Sequence, residues 1–229
     1  MNQERNDNQN AQDQEVEVSP VKGNRTFLQR YGFPLVLIVL CLALGAYLLI
    51  SQNKEEELPV LQEGTDFSFT DTSGNEVTLQ NTNGKVRLLY FFFANCPDVC
   101  PPTTAVLSQV QDELKEQNLF GNKVEFLSVS IDPTHDTTEV LLDFADTFDA
   151  DLSGWKFLRG EEAETHEIAK KYGILAMKDK DGNFSHSNVV VLLDKNGDIR
   201  EWISGMDFIG QGTQDLEPKD MVDIVKKIL

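Results

Sequence analysis

The chain has 229 residues, room for one good-sized domain with accessory segments, and its 20 Lys and Arg residues face 38 Asp and Glu, a formal net charge of -18. Such a chain is repelled by nucleic-acid phosphates, so neither DNA nor RNA is an expected partner. The acidic surface is read as a means of solubility rather than of steering.

The first stretch, to residue 32, is rich in Asn, Gln and charge and poor in large apolar side chains. It cannot bury enough surface to offset its ordering entropy, so a disordered tail is expected over 1–32. The run FPLVLIVLCLALGAYLLI, Phe33 to Ile50, then carries no charge. At about 1.5 Å per residue it is just long enough to span a bilayer core. Lys22, Arg25 and Arg30 precede it and KEEE (Lys54 to Glu57) follows. The positive-inside rule then places the N-terminus in the cytoplasm and the rest outside a plasma membrane crossed once. A cleaved signal peptide using Ala43 and Gly45 fits less well, because the apolar run continues through AYLLI and the preceding tail is long. Lipid attachment at Cys41 is disfavoured by the bulky Leu40 before it, and Cys41 reads as a small hydrophobe facing lipid. An extracytoplasmic location permits disulfides, and beyond the anchor there is one pair of cysteines to form one.

Residues 51–63 read as a polar linker, ending near Pro59 and Gly64, and residues 64–229 as the folded domain. DFSFTDTSGNEVTL alternates around Ser73-Gly74-Asn75 and predicts a hairpin. KVRLLYFFF (Lys85 to Phe93) is the continuous apolar run of a buried central strand. After FFFANCPDVCPPTT, helical spacing of Val106, Val110 and Leu114 predicts a helix stopping near Gly121. KVEFLSVSI predicts a second buried strand, and DTTEVLLDFADTF an amphipathic helix capped by Asp136 or Thr137. WKFL reads as a short strand and EEAETHEIAKKYG as a helix closed by Gly173. NVVVLLDKNGDIREWIS is a hairpin turned at Asn196-Gly197, and a helix from about Pro218 to Leu229 ends the order. The expected class is α/β, a central mixed sheet flanked by helices. The cysteines fall where the first long strand meets its helix, which makes the plan thioredoxin-like and puts the site at a strand's carboxyl end.

Cys96 and Cys100 are separated by three residues, with Pro101 and Pro102 in the first turn of the predicted helix. Asp98 is expected to cap it. The positive end of the helix is expected to favour thiolate, making both sulfurs better nucleophiles and ligands. Alone, the pair leaves three readings open: structural disulfide, redox couple and metal site. His186, in NFSHSNVVVLL, lies just before a buried strand, where a thioredoxin-like sheet returns beside the cysteine loop. Thioredoxins have a cis-proline there, whereas no proline occurs here between Pro133 and Pro218. Two thiolates and an imidazole suit copper(I), and imidazole also serves copper(II). Zinc is disfavoured for want of a fourth well-placed Cys or His. His135, in a polar loop, and His166, in a charged helix, read as surface residues.

Three separated motifs resemble the Sco/SenC family of membrane-anchored copper proteins that assist cytochrome c oxidase assembly. YFFFANCPDVCPPT resembles the family's Cys-Pro-Asp-Val-Cys-Pro motif, SVSIDPTHDTTEVLLDFA a second family segment, and FSHSNVVVLLDKNGDI the segment carrying the distal histidine. The resemblance runs from about Thr65 to the C-terminus and implies Cys96, Cys100 and His186 as copper ligands. Two positions depart from the pattern: Ser185 stands where an acidic residue often precedes the histidine, and Thr138 replaces a common proline.

The leading expectation is therefore a copper chaperone that loads the binuclear copper site of oxidase subunit II. Its copper donor is not named by the sequence. The alternative is a thiol–disulfide oxidoreductase acting through the Cys96–Cys100 pair on that subunit's cysteines. A purely structural disulfide is the third reading, weakened by the small loop it would close.

Overall fold

The computed structural model describes residues 27–52, 57–178 and 184–229, and the chain divides into two units after Lys54. Most of the tail expected over 1–32, and positions 53–56 of the expected linker, lie outside the described residues. The first unit holds helix α1, Phe27–Gln52, which begins before the apolar run read from the sequence. From Tyr31 to Leu48 its mean hydropathy is 2.2, apolar enough to cross a membrane. Phe33, Val39, Leu42 and Tyr47 are exposed on it, a surface that hydrocarbon accepts and water penalises.

The second unit contains β1 (Ser68–Asp71), β2 (Glu76–Thr78), β3 (Val86–Phe92), α2 (Cys100–Glu116), β4 (Val124–Ser130), α3 (Thr138–Thr147) and β5 (Trp155–Arg159). It continues through α4 (Glu162–Lys171), β6 (Ala176–Lys178), β7 (Phe184–His186), β8 (Val189–Leu193), β9 (Ile199–Ser204), a 3-10 turn (Gly205–Phe208) and α5 (Pro218–Lys226). Seven strands form one mixed sheet in the order β2-β1-β5-β4-β3-β8-β9. β3, β4 and β5 run parallel, while β1, β8 and β9 pair antiparallel with their neighbours. With the flanking helices this is the α/β plan expected from the sequence. Every residue of β3 and of β4 is buried, as the sequence leads one to expect of both, and in β3 burial on both faces is why KVRLLYFFF reads as a run rather than an alternation.

That topology positions the site. β8 is antiparallel to β3, with Tyr90 opposite Val190, so the residues leading into β8 lie beside the carboxyl end of β3. The cysteine loop leaves β3 at that same end. The β8–β9 turn is closed by Asp194, whose Oδ1 accepts from the amides of Asn196, Gly197 and Asp198. Gly197 there adopts φ +102°, a conformation that favours glycine.

Two features depart from the sequence reading. β6 and β7 form a separate small ladder with Ala176 opposite His186; strands of three residues are too short to display a period of two. Part of the stretch read as linker is also held on the domain. Leu61 donates its amide to the Ile199 carbonyl at 2.8 Å, and Ile199 donates to Gln62 at 2.8 Å. Arg200 Nε donates to the Leu58 carbonyl at 2.7 Å. The segment covers backbone groups of β9, the last strand of the sheet, which would otherwise be an open edge.

Candidate functional site

β3 ends at Phe92, and the chain turns with the Cys96 amide donating to the Phe93 carbonyl at 3.3 Å. Cys100 is the first residue of α2, followed by Pro101 and Pro102. Val99, not Asp98, occupies the N-cap position, and it makes no side-chain cap bond. The expected Asp98 cap does not form, because the helix begins at Cys100 and the cap position falls to Val99. A capping side chain accepts from the second or third helical amide, and those positions are Pro101 and Pro102, which have none. Asp98 is exposed.

Cys96 is 7 % exposed and Cys100 fully buried, and both are thiols with their side chains hydrogen-bonded to each other. The hydrogen bond with Cys96, together with burial, pushes the Cys100 thiol far above its ordinary range. The Phe93 backbone and the Tyr90 hydroxyl, also hydrogen-bonded to Cys100, pull the other way without prevailing. For Cys100 this corrects the expectation that the helix terminus favours thiolate. Helix-end stabilisation is worth a kcal/mol or so, less than the cost of charging a sulfur shut away from water.

The loop is braced from β4. Asp136 accepts from the Ala94 amide at 3.1 Å through Oδ2, and the Ser130 hydroxyl donates to the same oxygen at 2.5 Å. The Ser130 hydroxyl also accepts from the Asp132 amide at 3.1 Å. Thr137 is the cap of α3, accepting from Val140 at 3.3 Å, which leaves Asp136 for the cysteine loop. Burial raises the Asp136 pKa, with the bonds from Ser130 and Ala94 opposing.

On the other side, β7 ends at His186, whose backbone pairs with Ala176. Two residues later the buried Asn188 meets α2: its Nδ2 donates to Thr103 Oγ1 at 3.0 Å, and Thr103 Oγ1 donates to its Oδ1 at 3.2 Å. The Tyr90 hydroxyl donates to the same Oδ1 at 3.1 Å. The backbone thus carries His186 into the segment that Asn188 fastens to the first turn of α2. His135 is exposed and pairs through Nδ1 with Asp132 at 2.9 Å. His166 is more than a surface residue: its Nε2 donates to the Ile131 carbonyl at 2.7 Å and ties α4 to the end of β4.

Tyr90, Thr103, Asn188 and Asp136 were not singled out as site residues by the sequence. One signal was present, since a tyrosine inside a fully apolar run must find a partner for its hydroxyl.

A mixed sheet, a helix opened by the second cysteine of Cys-Pro-Asp-Val-Cys-Pro and a histidine ahead of β8 are now joined by a direct comparison. The family described as SCO1/SenC matches residues 55–218. The chain belongs to the SCO1/SenC family. The SCO1 protein homolog of Bacillus subtilis is 30 % identical over 152 residues, covering 65 % of this chain and 77 % of that protein. The solved structure of ScoI from Bradyrhizobium japonicum with copper bound superposes with a TM-score of 0.60 at 26 % identity, covering 73 % of this chain and 99 % of that one. The solved structure of BsSco, described with a disulfide switch and as a member of the Sco family of cytochrome c oxidase assembly proteins, gives a TM-score of 0.64 at 26 % identity. It covers 76 % of this chain and 98 % of that chain. For this SCO1/SenC domain the donor set suits copper as cargo: two adjacent thiols are the soft ligands that copper selects.

Proposed function

We propose that this chain is a membrane-anchored copper-binding assembly factor for cytochrome c oxidase, which holds copper with Cys96, Cys100 and His186 and delivers it to the binuclear copper site of subunit II. The observation that carries this reading is the side-by-side burial of the two thiols at the start of α2. The copper-bound ScoI neighbour and the oxidase-assembly role stated for BsSco support it. Copper replaces the thiol protons, so loading releases protons and removes the cost of charging a buried sulfur. A Cys96–Cys100 disulfide has no thiolates to offer, so oxidation and loading exclude each other. The domain lies on the extracytoplasmic side of the plasma membrane, with α1 as its single span.

One observation favours a second reading, thiol–disulfide exchange on the same oxidase subunit. Cys96 keeps some solvent access and Cys100 has none, the division between an attacking and a resolving thiol. Cys96 thiolate would attack a substrate disulfide, expelling one substrate thiolate; Cys100 would then attack Cys96, releasing the second and leaving the Cys96–Cys100 disulfide. Two electrons pass to the substrate.

Copper(II) titration of the reduced full-length protein in detergent, for wild type and His186→Ala, separates the two. Wild type takes up one equivalent, the oxidised protein none, and His186→Ala binds markedly more weakly while keeping thiol–disulfide exchange. Equal copper uptake by the disulfide form, or unchanged affinity in His186→Ala, rejects the ligand assignment. In cells, normal oxidase assembly by the His186→Ala strain at limiting copper would favour the reductase.

A further inference from the structure

Asn188 makes four side-chain contacts, one of them from Nδ2 to Met206 Sδ at 3.6 Å, and the other three reach the cysteine side of the site. Its carboxamide exchanges two hydrogen bonds with the Thr103 hydroxyl, at 3.0 and 3.2 Å, and accepts a third from Tyr90 at 3.1 Å. These partners lie 85 and 98 positions away in sequence. The Asn188 site is also shaped from behind. Gly205 donates its amide to the Asn188 carbonyl at 2.9 Å, and a Cβ on Gly205 would come within 2.7 Å of the Asn188 side chain. The backbone on the β7 side is pinned too, with Ser187 donating to the Leu175 carbonyl at 3.0 Å. Burying an asparagine is costly unless its polar atoms are all engaged; here Oδ1 is satisfied by Tyr90 and Thr103 and Nδ2 by Thr103 and Met206, so both ends of the amide reach the cysteine side of the site. Thr103 is three residues beyond Cys100 on α2, and Tyr90 is hydrogen-bonded to the Cys100 thiol. Asn188 itself is two residues beyond His186 in the chain.

We infer that Asn188 is a positioning residue for the metal site, fixing the backbone that carries His186 against the first turn of α2 so that the imidazole and the two sulfurs meet at one point. The inference rests on the copper reading above. A third ligand supplied from a separate strand raises affinity only as far as its place is set in advance, and groups that orient metal ligands typically matter by roughly 10–100-fold in affinity. Tyr90 and Thr103 serve the same lattice from the other side. Because Asn188 acts through His186, its loss matters only while His186 is present.

The test is a two-by-two copper(II) titration of the reduced full-length protein in detergent: wild type, Asn188→Ala, His186→Ala and the double variant. The sulfur-to-copper absorption band and the apo melting temperature are recorded for each. Asn188→Ala should weaken copper binding by roughly 10-fold or more and shift the absorption band, while adding nothing further in the His186→Ala background. Unchanged affinity and band in Asn188→Ala overturn the inference, as do equal losses in the two backgrounds, which would mark a general effect on the fold. Should Asn188→Ala not fold, Thr103→Val removes the hydroxyl partner at nearly constant volume, and the same two-background comparison decides. If His186→Ala alone binds as tightly as wild type, the ligand assignment itself has failed, an outcome distinct from a silent Asn188→Ala.

Discussion

The two ends of the β3–β4 pair bury polar groups in contrasting ways. At the amino end they are charged and face one another. Arg87 lies opposite Glu125 in register and is fully buried, Lys85 pairs with Glu125 at 3.2 Å, and Arg200 pairs with Asp194 at 2.7 Å. At the carboxyl end the groups nearest the sulfurs are neutral: the Tyr90 hydroxyl, the Thr103 hydroxyl and the Asn188 amide. Of the carboxylates there, Asp136 is turned to the Ala94 amide and the Ser130 hydroxyl, and Asp132 to His135. A fixed charge beside a thiol biases it toward one protonation or metal state, whereas neutral hydrogen bonds place it without choosing. The end that must change state is built from neutral partners, and the end that must only hold is built from ion pairs.

The largest effect should come from breaking the amino end. Arg87→Ala leaves Glu125 buried with less compensation and is expected to cost about 3–5 kcal/mol. Urea unfolding measures it, and copper binding per folded molecule should stay as in wild type. Arg87→Met combined with Glu125→Leu should regain most of the loss, since well-packed apolar side chains can replace buried charged ones. If the single variant is as stable as wild type, the buried Arg87 charge is not what holds this end.

A smaller effect is expected at the other end from Asp136→Ala, about 1–3 kcal/mol, because the Ala94 amide and Ser130 hydroxyl lose their acceptor. Here the local consequence should exceed the global one. Alkylation of Cys96 should become faster than stability alone explains, and an unchanged alkylation rate would detach Asp136 from the cysteine loop.

Smaller still, the two ends should titrate in opposite senses. The Asp194 pKa lies below the ordinary carboxylate value of 3.8: burial acts to raise it, but Arg200 and the turn amides outweigh that. Its stabilisation is fully present above the unfolded pKa and is lost as pH falls through the lower folded value. Asp136 lies above 3.8 because of burial. Its carboxylate therefore carries a penalty that is present above the raised folded pKa and relieved as pH falls toward 3.8. Melting temperatures of Asp194→Asn and Asp136→Asn, each subtracted from wild type across acid pH, should slope in opposite directions. Slopes of the same sign would contradict the contrast.

How much of this was legible follows the same division. β3 declared itself as a continuous apolar run, β4 as a second buried strand, the β8–β9 hairpin through Asn196-Gly197, and the cysteine loop through its prolines. All are local patterns. What brings Asn188 to Thr103, or Asp136 to Ala94, is the register of strands far apart in sequence, which leaves no periodic trace. Arg87 was hidden for a different reason, since one cation inside KVRLLYFFF barely disturbs an apolar run. The raised Cys100 thiol could not be read either, because burial and the contact with Cys96 exist only once the chain has folded.

The smallest effect, and the one that bears most directly on the contrast, concerns copper itself. If neutral partners place the sulfurs, the domain should be complete without metal. Phe91, Phe92, Val129 and Ile131 near the site are fully buried against protein, so the core beneath the cysteine loop owes nothing to a bound ion. Cys100 is accommodated as a neutral thiol among Cys96, Tyr90 and the Phe93 backbone, which leaves no charge awaiting compensation. The segment Glu55–Leu229, expressed without α1, should therefore give the same helix and strand signal by circular dichroism with and without copper. Copper should raise only its melting temperature, by mass action, to an extent that depends on the free copper concentration. An unfolded apo domain would mean that the ion, and not the Tyr90–Asn188–Thr103 lattice, assembles this end of the sheet.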